Sequence, residues 1–351
     1  MSLFPVTAYD KSVYRDELAD FLPAKMIDIH AHCYAASGER EPVPGEVKRT
    51  VSWPSKVASV NPIEDLLETY SLLLPEQEVV PLIFANAISG PGAQEYLRDG
   101  NNYCAEVAAE HKIPALYFSH PAESGAELER AVAAGGFCGL KSYLNLSPTY
   151  LPEAEIRIFD FFTPEQLETA NKNKWVVMLH IPRHGRLADP INLAQVEKIA
   201  ARWPDLKLIL AHIGRAYCSG DVGEGLKRIA PLERVSFDFS ANCNAGVIRD
   251  TIDAVGPHRV LWGSDLPILR MRTRRICENN FYINLVPPGL YGDESVDPHL
   301  REVSEKEAET ITFFLYEQLL ALKQAAGELR LTRSEIEAIL HDNAARILGL
   351  A

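Results

Sequence analysis

Residues 25–32 read KMIDIHAH, a strand-sized run in which polar and apolar side chains alternate. Because successive side chains of a strand point to opposite faces, Asp28, His30 and His32 share one face and the apolar residues between them share the other. The apolar face suits burial under helices, which leaves the polar face pointing into a barrel. Two imidazoles one strand period apart can bind one metal ion. Taken alone, the motif also fits two surface histidines at a strand end.

Seven further strand-sized runs follow along the chain, each rich in β-branched or aromatic residues. Helical patterns separate them, among them 62–74, 101–111 and 192–203, and Thr163-Pro164-Glu165-Gln166 has the residues of a capping box. Strands alternating with helices predict an α/β fold, a (β/α)8 TIM barrel that ends in C-terminal helices over 304–350. A doubly wound open sheet is the alternative, but no glycine-rich fingerprint follows the first strand. The seven runs are 79–87, 115–120, 137–143, 175–181, 207–214, 235–242 and 260–267.

The composition is that of a globular protein, with 47% hydrophobic and 24% charged residues in 351. We expect residues 1–24 to form an N-terminal extension and residues 25–351 to form a single barrel domain. The segments 33–61 and 267–300 are rich in proline, glycine and charge. They are predicted to be long loops over the C-terminal rim of the barrel, where active-site lids usually lie.

Charge and cysteine usage narrow the class of protein further. With 35 basic against 48 acidic residues, the net charge of -13 argues against nucleic acid as a partner. No apolar run approaches the ~20 residues of a membrane span, and the charged N-terminus lacks the apolar core of a signal peptide. The six cysteines show no CxxC spacing, which predicts reduced thiols in a cytoplasmic protein rather than a disulfide framework.

Three other strand-sized runs end in residues that can bind a metal. His180 ends WVVMLH, His212 ends LILAH, and Asp265 ends VLWGSD. The C-terminal ends of the strands in a parallel barrel meet at one rim, which carries the active site. Burying four imidazoles and a carboxylate together would be costly, and a divalent metal removes that cost. The pattern predicts one divalent ion, with zinc first and manganese or iron as alternatives.

These motifs, with Gly263-Ser264-Asp265 and the ending 343–350, resemble the amidohydrolase superfamily from about residue 25 to the C-terminus. The chain is most similar to the amidohydrolase-related branch, which includes aminocarboxymuconate-semialdehyde decarboxylase and resorcylate-type decarboxylases. The resemblance implies a TIM-barrel enzyme that uses a metal. Relatives are often dimers, so it also implies that a homodimer can form.

Carried over residue by residue, the resemblance implies metal ligands at His30, His32, His180 and Asp265. His212 matches a histidine that faces the substrate or the attacking water in mononuclear members. The same residues serve two reactions. The first is hydrolysis of a small carboxylated amide or lactone by a metal-activated water, with Asp265 and His212 as catalytic residues. The alternative is nonoxidative decarboxylation of an aromatic or enoic acid. A metal-free lactonase and a non-catalytic binding protein remain further alternatives.

Basic residues near the rim predict a small anionic substrate. Arg183 and Arg215 each lie three residues after a strand-end histidine, and guanidinium groups bind carboxylates in bidentate fashion. Loop arginines paired with surface carboxylates are the alternative. Lys141 matches the fourth-strand lysine that is a carbamylated bridge in binuclear members, but in mononuclear members such a lysine pairs with a carboxylate or contacts substrate. We expect Lys141 and Tyr143 to help bind the substrate.

Overall fold

The computed structural model describes residues 2–37, 56–88, 90, 92–292 and 297–350. Each of the eight predicted runs contains a parallel strand, and most of the predicted loop 33–61 lies outside the described residues. The strands are β1 Lys25–His32, β2 Glu78–Phe84, β3 Tyr117–Phe118, β4 Gly139–Ser142, β5 Val176–Leu179, β6 Lys207–Leu210, β7 Val235–Asp238 and β8 Val260–Leu261.

The eight strands close into a (β/α)8 TIM barrel. Strands β3 to β8 form one parallel sheet in chain order, and β1 pairs with β2. A bridge between Ile83 and Ala115 joins β2 to β3. After β8, the amide of Asp265 donates a hydrogen bond to the carbonyl oxygen of His30 at 2.7 Å. The seam between the first and last strands therefore lies beside two of the predicted metal ligands.

Helices follow the strands and pack around the barrel. The predicted capping box at Thr163 and Gln166 begins α5, and capping boxes at Ser304 and Thr332 begin α10 and α12. In the described part of the chain, no helix has the length and apolar character needed to cross a membrane. The helices are α1 Ala8–Val13, α2 Ile63–Leu73, α3 Ala93–His111, α4 Gly125–Gly135, α5 Pro164–Lys172, α6 Pro190–Arg202, α7 His212–Arg215, α8 Gly225–Ile229, α9 Ala245–Val255, α10 Glu305–Ala308, α11 Phe314–Leu329, α12 Arg333–Glu337 and α13 Asn343–Leu348.

The segment 267–300 carries a small sheet, so the prediction of a long loop there is wrong. Its strands are β9 Arg274–Glu278, β10 Phe281–Val286 and β11 Leu300–Glu302, in the order β11-β10-β9. Strands β9 and β10 form an antiparallel hairpin around Asn279 and Asn280. Both asparagines have positive φ, as the two-residue turns that match the twist of a hairpin require.

Cys218 and Cys277 form a disulfide, so the prediction of six reduced thiols is wrong. Their Cα atoms lie 5.9 Å apart, although 59 residues separate them along the chain. Spacing in the sequence could not indicate this pair, because the hairpin that carries Cys277 folds back over the segment after β6. The other cysteines, Cys33, Cys104, Cys138 and Cys243, are free.

The residues before β1 pack on the same core as the barrel. Val13, Tyr14 and Leu18 are buried in it. The carboxylate of Asp10, fully buried, forms an ion pair with Arg272 at 2.6 Å, which links α1 to the segment after β8. The proposed boundary at residue 25 stays a prediction.

Candidate active site

Three predicted ligands meet at the seam between β1 and β8. The Nε2 atoms of His30 and His32 lie 3.4 Å and 3.6 Å from the same oxygen, Oδ1 of Asp265. These three ligand atoms all lie within 4.8 Å of one another. Gly263 allows the close approach of the two strands, because a Cβ atom there would lie 2.7 Å from the Cβ of His30. The geometry is that of three donors around one point.

The other nitrogen of each of these imidazoles is held by a protein oxygen. Nδ1 of His30 lies 3.1 Å from Oδ2 of Asp238, and Nδ1 of His32 lies 3.1 Å from the carbonyl oxygen of Ala85. An Nδ1–H that donates to such an acceptor leaves the lone pair on Nε2, where a metal would bind. The orientation of both rings therefore suits metal binding.

Asp238 is a site residue that the sequence analysis missed. Besides its contact with His30, it accepts a hydrogen bond at Oδ1 from the backbone amide of His212 at 2.9 Å. Ser240 donates to the same carboxylate and lies 2.8 Å from Nδ1 of His212. The signal was present in VSFDFSAN, where an acidic residue interrupts a buried strand. The polar residues of that strand also fit a face exposed to solvent.

His180 lies beside His212, with ring centroids 5.2 Å apart, but it does not join the three converging ligand atoms. Its Nε2 atom is 3.5 Å from the hydroxyl of Tyr143. Its Nδ1 atom is buried and has no hydrogen-bond partner among the described residues. A buried polar atom without a partner is costly, so this nitrogen is available to a ligand that the protein alone does not supply.

The residues present fit a divalent metal ion. Burial holds the pKa of His30, His180 and His212 well below the ordinary value of 6.5, and burial lowers the pKa of His32 to about 3. The rings are therefore neutral at physiological pH, as metal ligands must be. Neutral imidazoles, a carboxylate oxygen and the unpartnered nitrogen of His180 form a donor set that zinc and similar ions accept.

Asp28, the third polar residue on this face of β1, supports the site through hydrogen bonds. It accepts hydrogen bonds from the hydroxyl of Tyr70 at 2.6 Å, the amide of Ser264 at 2.8 Å and the amide of His30 at 3.0 Å. It therefore ties the backbone of β1 to the segment after β8. This placement accounts for all three polar positions of the first strand.

Lys141 lies in β4 and is buried, with its Nζ atom 5.1 Å from the centroid of the Phe84 ring. Burial lowers the pKa of Lys141 to about 8, against the opposing attraction of Asp238 and Asp265. This environment agrees better with a lysine that balances two carboxylates than with one exposed to solvent. Its role toward a substrate stays a prediction.

The two predicted substrate arginines differ in their partners. Arg183 forms an ion pair with Asp189 at 3.1 Å. Arg215 instead donates to the carbonyl oxygens of Ile181 at 3.3 Å and Pro182 at 2.8 Å, which carry no formal charge. In the described part of the chain, no carboxylate lies within ion-pair distance of Arg215. Its charge is therefore available to an anionic substrate.

A strained turn sets the direction of Arg215. All four residues of α7, from His212 to Arg215, have φ between 51° and 61°. Left-handed conformations cost roughly 1–2 kcal/mol for each non-glycine residue, so such a run is rare. A Cβ atom on Gly214 would lie 2.9 Å from the Leu187 side chain, which explains the glycine. Strain of this kind concentrates at functional sites.

Comparison with known proteins gives one family and a shared fold. The family model described as "Amidohydrolase" matches residues 27–350. No curated protein matches the chain. The 4-oxalomesaconate hydratase of Rhodopseudomonas palustris is 17% identical, with a TM-score of 0.56 over 92% of this chain and 95% of that chain. The 2,6-dihydroxybenzoate decarboxylase from Rhizobium is 14% identical, with a TM-score of 0.53 over 93% and 98%. An amidohydrolase from Burkholderia multivorans with bound zinc is 16% identical, with a TM-score of 0.54 over 93% and 99%.

Proposed function

Because the chain belongs to the amidohydrolase family and is a metal-dependent enzyme of that superfamily, we propose that it removes carbon dioxide from a small, planar carboxylic acid without an oxidant. The observation that carries this proposal is the enclosure of the site, since His30, His212 and Asp265 are each at most 5% exposed. Moving a carboxylate from water into such a site removes hydration that stabilises its charge, which favours loss of neutral carbon dioxide. The sequence alone favours hydrolysis, and the enclosure supports decarboxylation, which the sequence left open as the alternative.

His30, His32 and Asp265 would hold the divalent ion, with Nδ1 of His180 as the fourth donor. The ion supplies an electrophilic centre that attracts and neutralises the reacting carboxylate. Zinc remains the leading candidate, with manganese and iron as alternatives. The Burkholderia multivorans amidohydrolase of similar fold binds zinc, which supports this choice.

Protein residues supply the remaining chemistry. When the carbon–carbon bond breaks, its electron pair stays on the substrate carbon, and a proton must be delivered there. Asp265 is the candidate donor, because the two imidazoles face only its Oδ1 atom and leave Oδ2 for a proton. The neutral ring of His212 would orient the substrate. The decarboxylase from Rhizobium with the same fold is in keeping with this reaction.

The test is a product assay with zinc-loaded protein and a panel of aromatic and enoic acids. We expect carbon dioxide release by the wild type. Asp265→Asn should abolish turnover and leave the circular dichroism spectrum unchanged. A variant that keeps a near wild-type rate would exclude Asp265 as the proton donor.

Hydrolysis of a carboxylated amide or lactone is the second candidate function. The position of Asp265 favours it, because a carboxylate beside both imidazoles can also accept a proton from an attacking water. The two reactions differ in their products when run in ¹⁸O-labelled water. Hydrolysis places the label in an acid product and releases no carbon dioxide. The proposed decarboxylation releases carbon dioxide and forms no labelled acid product.

We expect Arg215 to anchor an anionic group of the substrate in either reaction. Arg215→Met removes a charged hydrogen-bond donor and should raise KM about tenfold or more, since hydrogen bonds to charged groups contribute roughly 1.5–3 kcal/mol. Arg183→Met is the matched control, and because Asp189 already balances its charge the change in KM should be smaller. A larger effect at Arg183 would reverse this assignment.

A further inference from the structure

The register of the β9–β10 hairpin decides which of its side chains share a face. Arg275 pairs with Asn284, and Cys277 pairs with Tyr282. Directly opposed residues of an antiparallel pair lie on the same side of the sheet, and side chains two apart share a face. These four side chains therefore belong to a single face. Arg275 donates to Oδ1 of Asn284 at 2.8 Å and to the carbonyl oxygen of Ala241 at 2.6 Å, just beyond β7.

The Tyr282 ring on this face extends a row of aromatic rings that begins in the candidate active site. The ring centroid of Tyr217 lies 6.4 Å from that of His212, and the centroid of Tyr282 lies 5.1 Å from that of Tyr217. The Arg215 guanidinium donates to the carbonyl oxygens of Ile181 and Pro182, which directly follow His180 in the chain, and the ring centroid of His180 lies 5.2 Å from that of His212. The guanidinium and the Tyr217 ring therefore both lie next to the pair formed by His180 and His212.

Two arginines pack against the faces of the Tyr217 and Tyr282 rings. Arg275 lies 4.9 Å from the Tyr217 centroid and 4.5 Å from the Tyr282 centroid, and Arg186 lies 5.2 Å from both. His299 stacks on Tyr282 with centroids 3.8 Å apart. With their faces covered in this way, the rings offer their hydroxyls rather than their faces to a ligand.

The hydroxyls of Tyr217 and Tyr282 make no hydrogen bond among the described residues, and neither oxygen is one of the buried atoms without a partner, so both are accessible to a ligand. Burial raises the pKa of Tyr217 to about 12, so its hydroxyl stays protonated and can donate. A tyrosine hydroxyl that is accessible and not bonded to protein can donate to a bound ligand. The two tyrosine hydroxyls can donate hydrogen bonds, and the nearby Arg215 guanidinium has only neutral partners. Together they suit the binding of an oxyanion.

The disulfide fixes the spacing of these two tyrosines. Cys218 follows Tyr217 in the chain, and Cys277 is the cross-strand partner of Tyr282. The amide of Gly220 also donates to the side chain of Asn280 in the hairpin turn at 2.9 Å. The segment after β6 and the inserted hairpin are therefore held together at the two positions that carry the hydroxyls.

We propose that Tyr217, Tyr282 and Arg215 form a subsite for a second carboxylate of the substrate, and that the Cys218–Cys277 disulfide positions it. The inference rests on the proposed function, because it assumes that the reacting group lies at His30, His32 and Asp265. The substrate class is then a planar dicarboxylic acid. One carboxylate reacts, and the other is held by the two tyrosine hydroxyls and the guanidinium.

Calorimetric titration of the zinc-loaded full chain with benzene-1,3-dicarboxylate and with benzoate tests the subsite. The wild type should bind the dicarboxylate more tightly by about tenfold or more. Tyr217→Phe and Tyr282→Phe keep the rings and should each remove most of that preference, with benzoate affinity unchanged. The exposed Tyr150 gives the control, Tyr150→Phe. A wild type without preference, or two Phe variants that keep it, would overturn the subsite.

The positioning role of the disulfide is tested with the double variant Cys218→Ser/Cys277→Ser. It should lose most of the preference for the dicarboxylate at an unchanged zinc content and circular dichroism spectrum. The control is Cys243→Ser, because Cys243 is free and lines a cavity of about 400 Å³ together with Tyr217 and Cys277. Full preference in the double variant would overturn the role of the disulfide. If the double variant does not fold, the wild type titrated with and without prior thiol reduction gives the same comparison.

The two proposals fail in different ways. A wild type that releases no carbon dioxide from any acid but shows the tyrosine-dependent preference would disprove the decarboxylation and leave the subsite intact. Carbon dioxide release from monocarboxylic acids, with no effect of either Phe variant on binding, would disprove the subsite and leave the reaction intact.

Discussion

A single carboxylate, that of Asp238, orients two histidines of the site. One oxygen faces Nδ1 of His30, and the other accepts hydrogen bonds from the backbone amides of His212 and Ser240. Removing such a partner leaves the ligands in place but lets the ring of His30 rotate or change tautomer. The effect on metal binding should therefore be measurable without loss of any ligand.

We predict that Asp238→Asn weakens zinc binding about 10–100-fold. The amide can donate as well as accept, so it no longer fixes the hydrogen of His30 on Nδ1. The measurement is a competition titration with a chromogenic chelator. Asp205→Asn, at an exposed aspartate, is the control and should bind like the wild type, whereas His30→Ala should lose the ion. Wild-type affinity in Asp238→Asn would show that Asp238 does not orient the ligand.

Among single residues, the sequence predicts those side chains whose orientation follows from their position in a strand. His30, His32 and Asp265 follow from alternation along β1 and from the common rim of parallel strands, and the structure brings them together. The different environments of Arg183 and Arg215 could not be predicted, because they depend on the left-handed turn of α7. Nothing in the local sequence except Gly214 indicates that turn.

Among the elements, α1 and the segment after β8 are joined by a buried ion pair. Arg272 approaches both oxygens of Asp10, at 3.1 Å and 2.6 Å, and lies 4.3 Å from the centroid of the Phe313 ring. Burial alone would raise the pKa of Asp10, but hydrogen bonds from Arg272, Thr7 and Thr312 outweigh it and hold the pKa below the ordinary 3.8.

We predict that Arg272→Ala lowers the free energy of unfolding by about 3 kcal/mol at pH 7, because it leaves a buried carboxylate without its counter-charge. The wild-type pair stabilises the fold above pH 4, and this contribution falls as the pH drops through the lowered pKa of Asp10. The difference between wild type and variant should therefore shrink in acid. Urea unfolding at several pH values measures it. Arg15→Ala, which removes an exposed pair, should leave the free energy of unfolding close to that of the wild type.

The elements were predicted well where local signals were strong. The capping box at Thr163 and the eight strand runs each led to an element at the expected place. The hairpin was missed because the composition of 267–300 is that of a loop. The pair Asn279-Asn280 between RRICE and FYINLV was the available signal, since two residues with positive φ between such runs are typical of a tight hairpin turn.

For the whole molecule, the proposed metal site lies at the seam where the barrel closes. The candidate ligands His30, His32 and Asp265 come from β1 and from the segment after β8, and Asp28 ties the same two parts through Ser264. The fold class could be predicted because eight strands at regular spacing leave few alternatives. The disulfide could not, since it depends on how the inserted hairpin folds back onto the barrel.

We predict that chelation of the metal lowers the thermal midpoint without unfolding the protein at room temperature. Free zinc at 100 times its dissociation constant would stabilise the fold by about 2.7 kcal/mol, which for a chain of this size is about 4 °C. Differential scanning calorimetry with and without zinc measures the shift. His30→Ala should show no response to zinc, and an equal shift in that variant would indicate that the ion acts elsewhere.

The closure of the seam also has a consequence for how the enzyme is made. His30 leaves the ribosome early and Asp265 late. The side chain of Gln318 in α11, which is made later still, donates to the carbonyl oxygen of Gly263 near Asp265. Contacts between such distant parts of a chain form slowly. We therefore predict that capture of the ion is one of the last events of folding, and that an ion-sensitive dye added during refolding responds well after helix formation is complete.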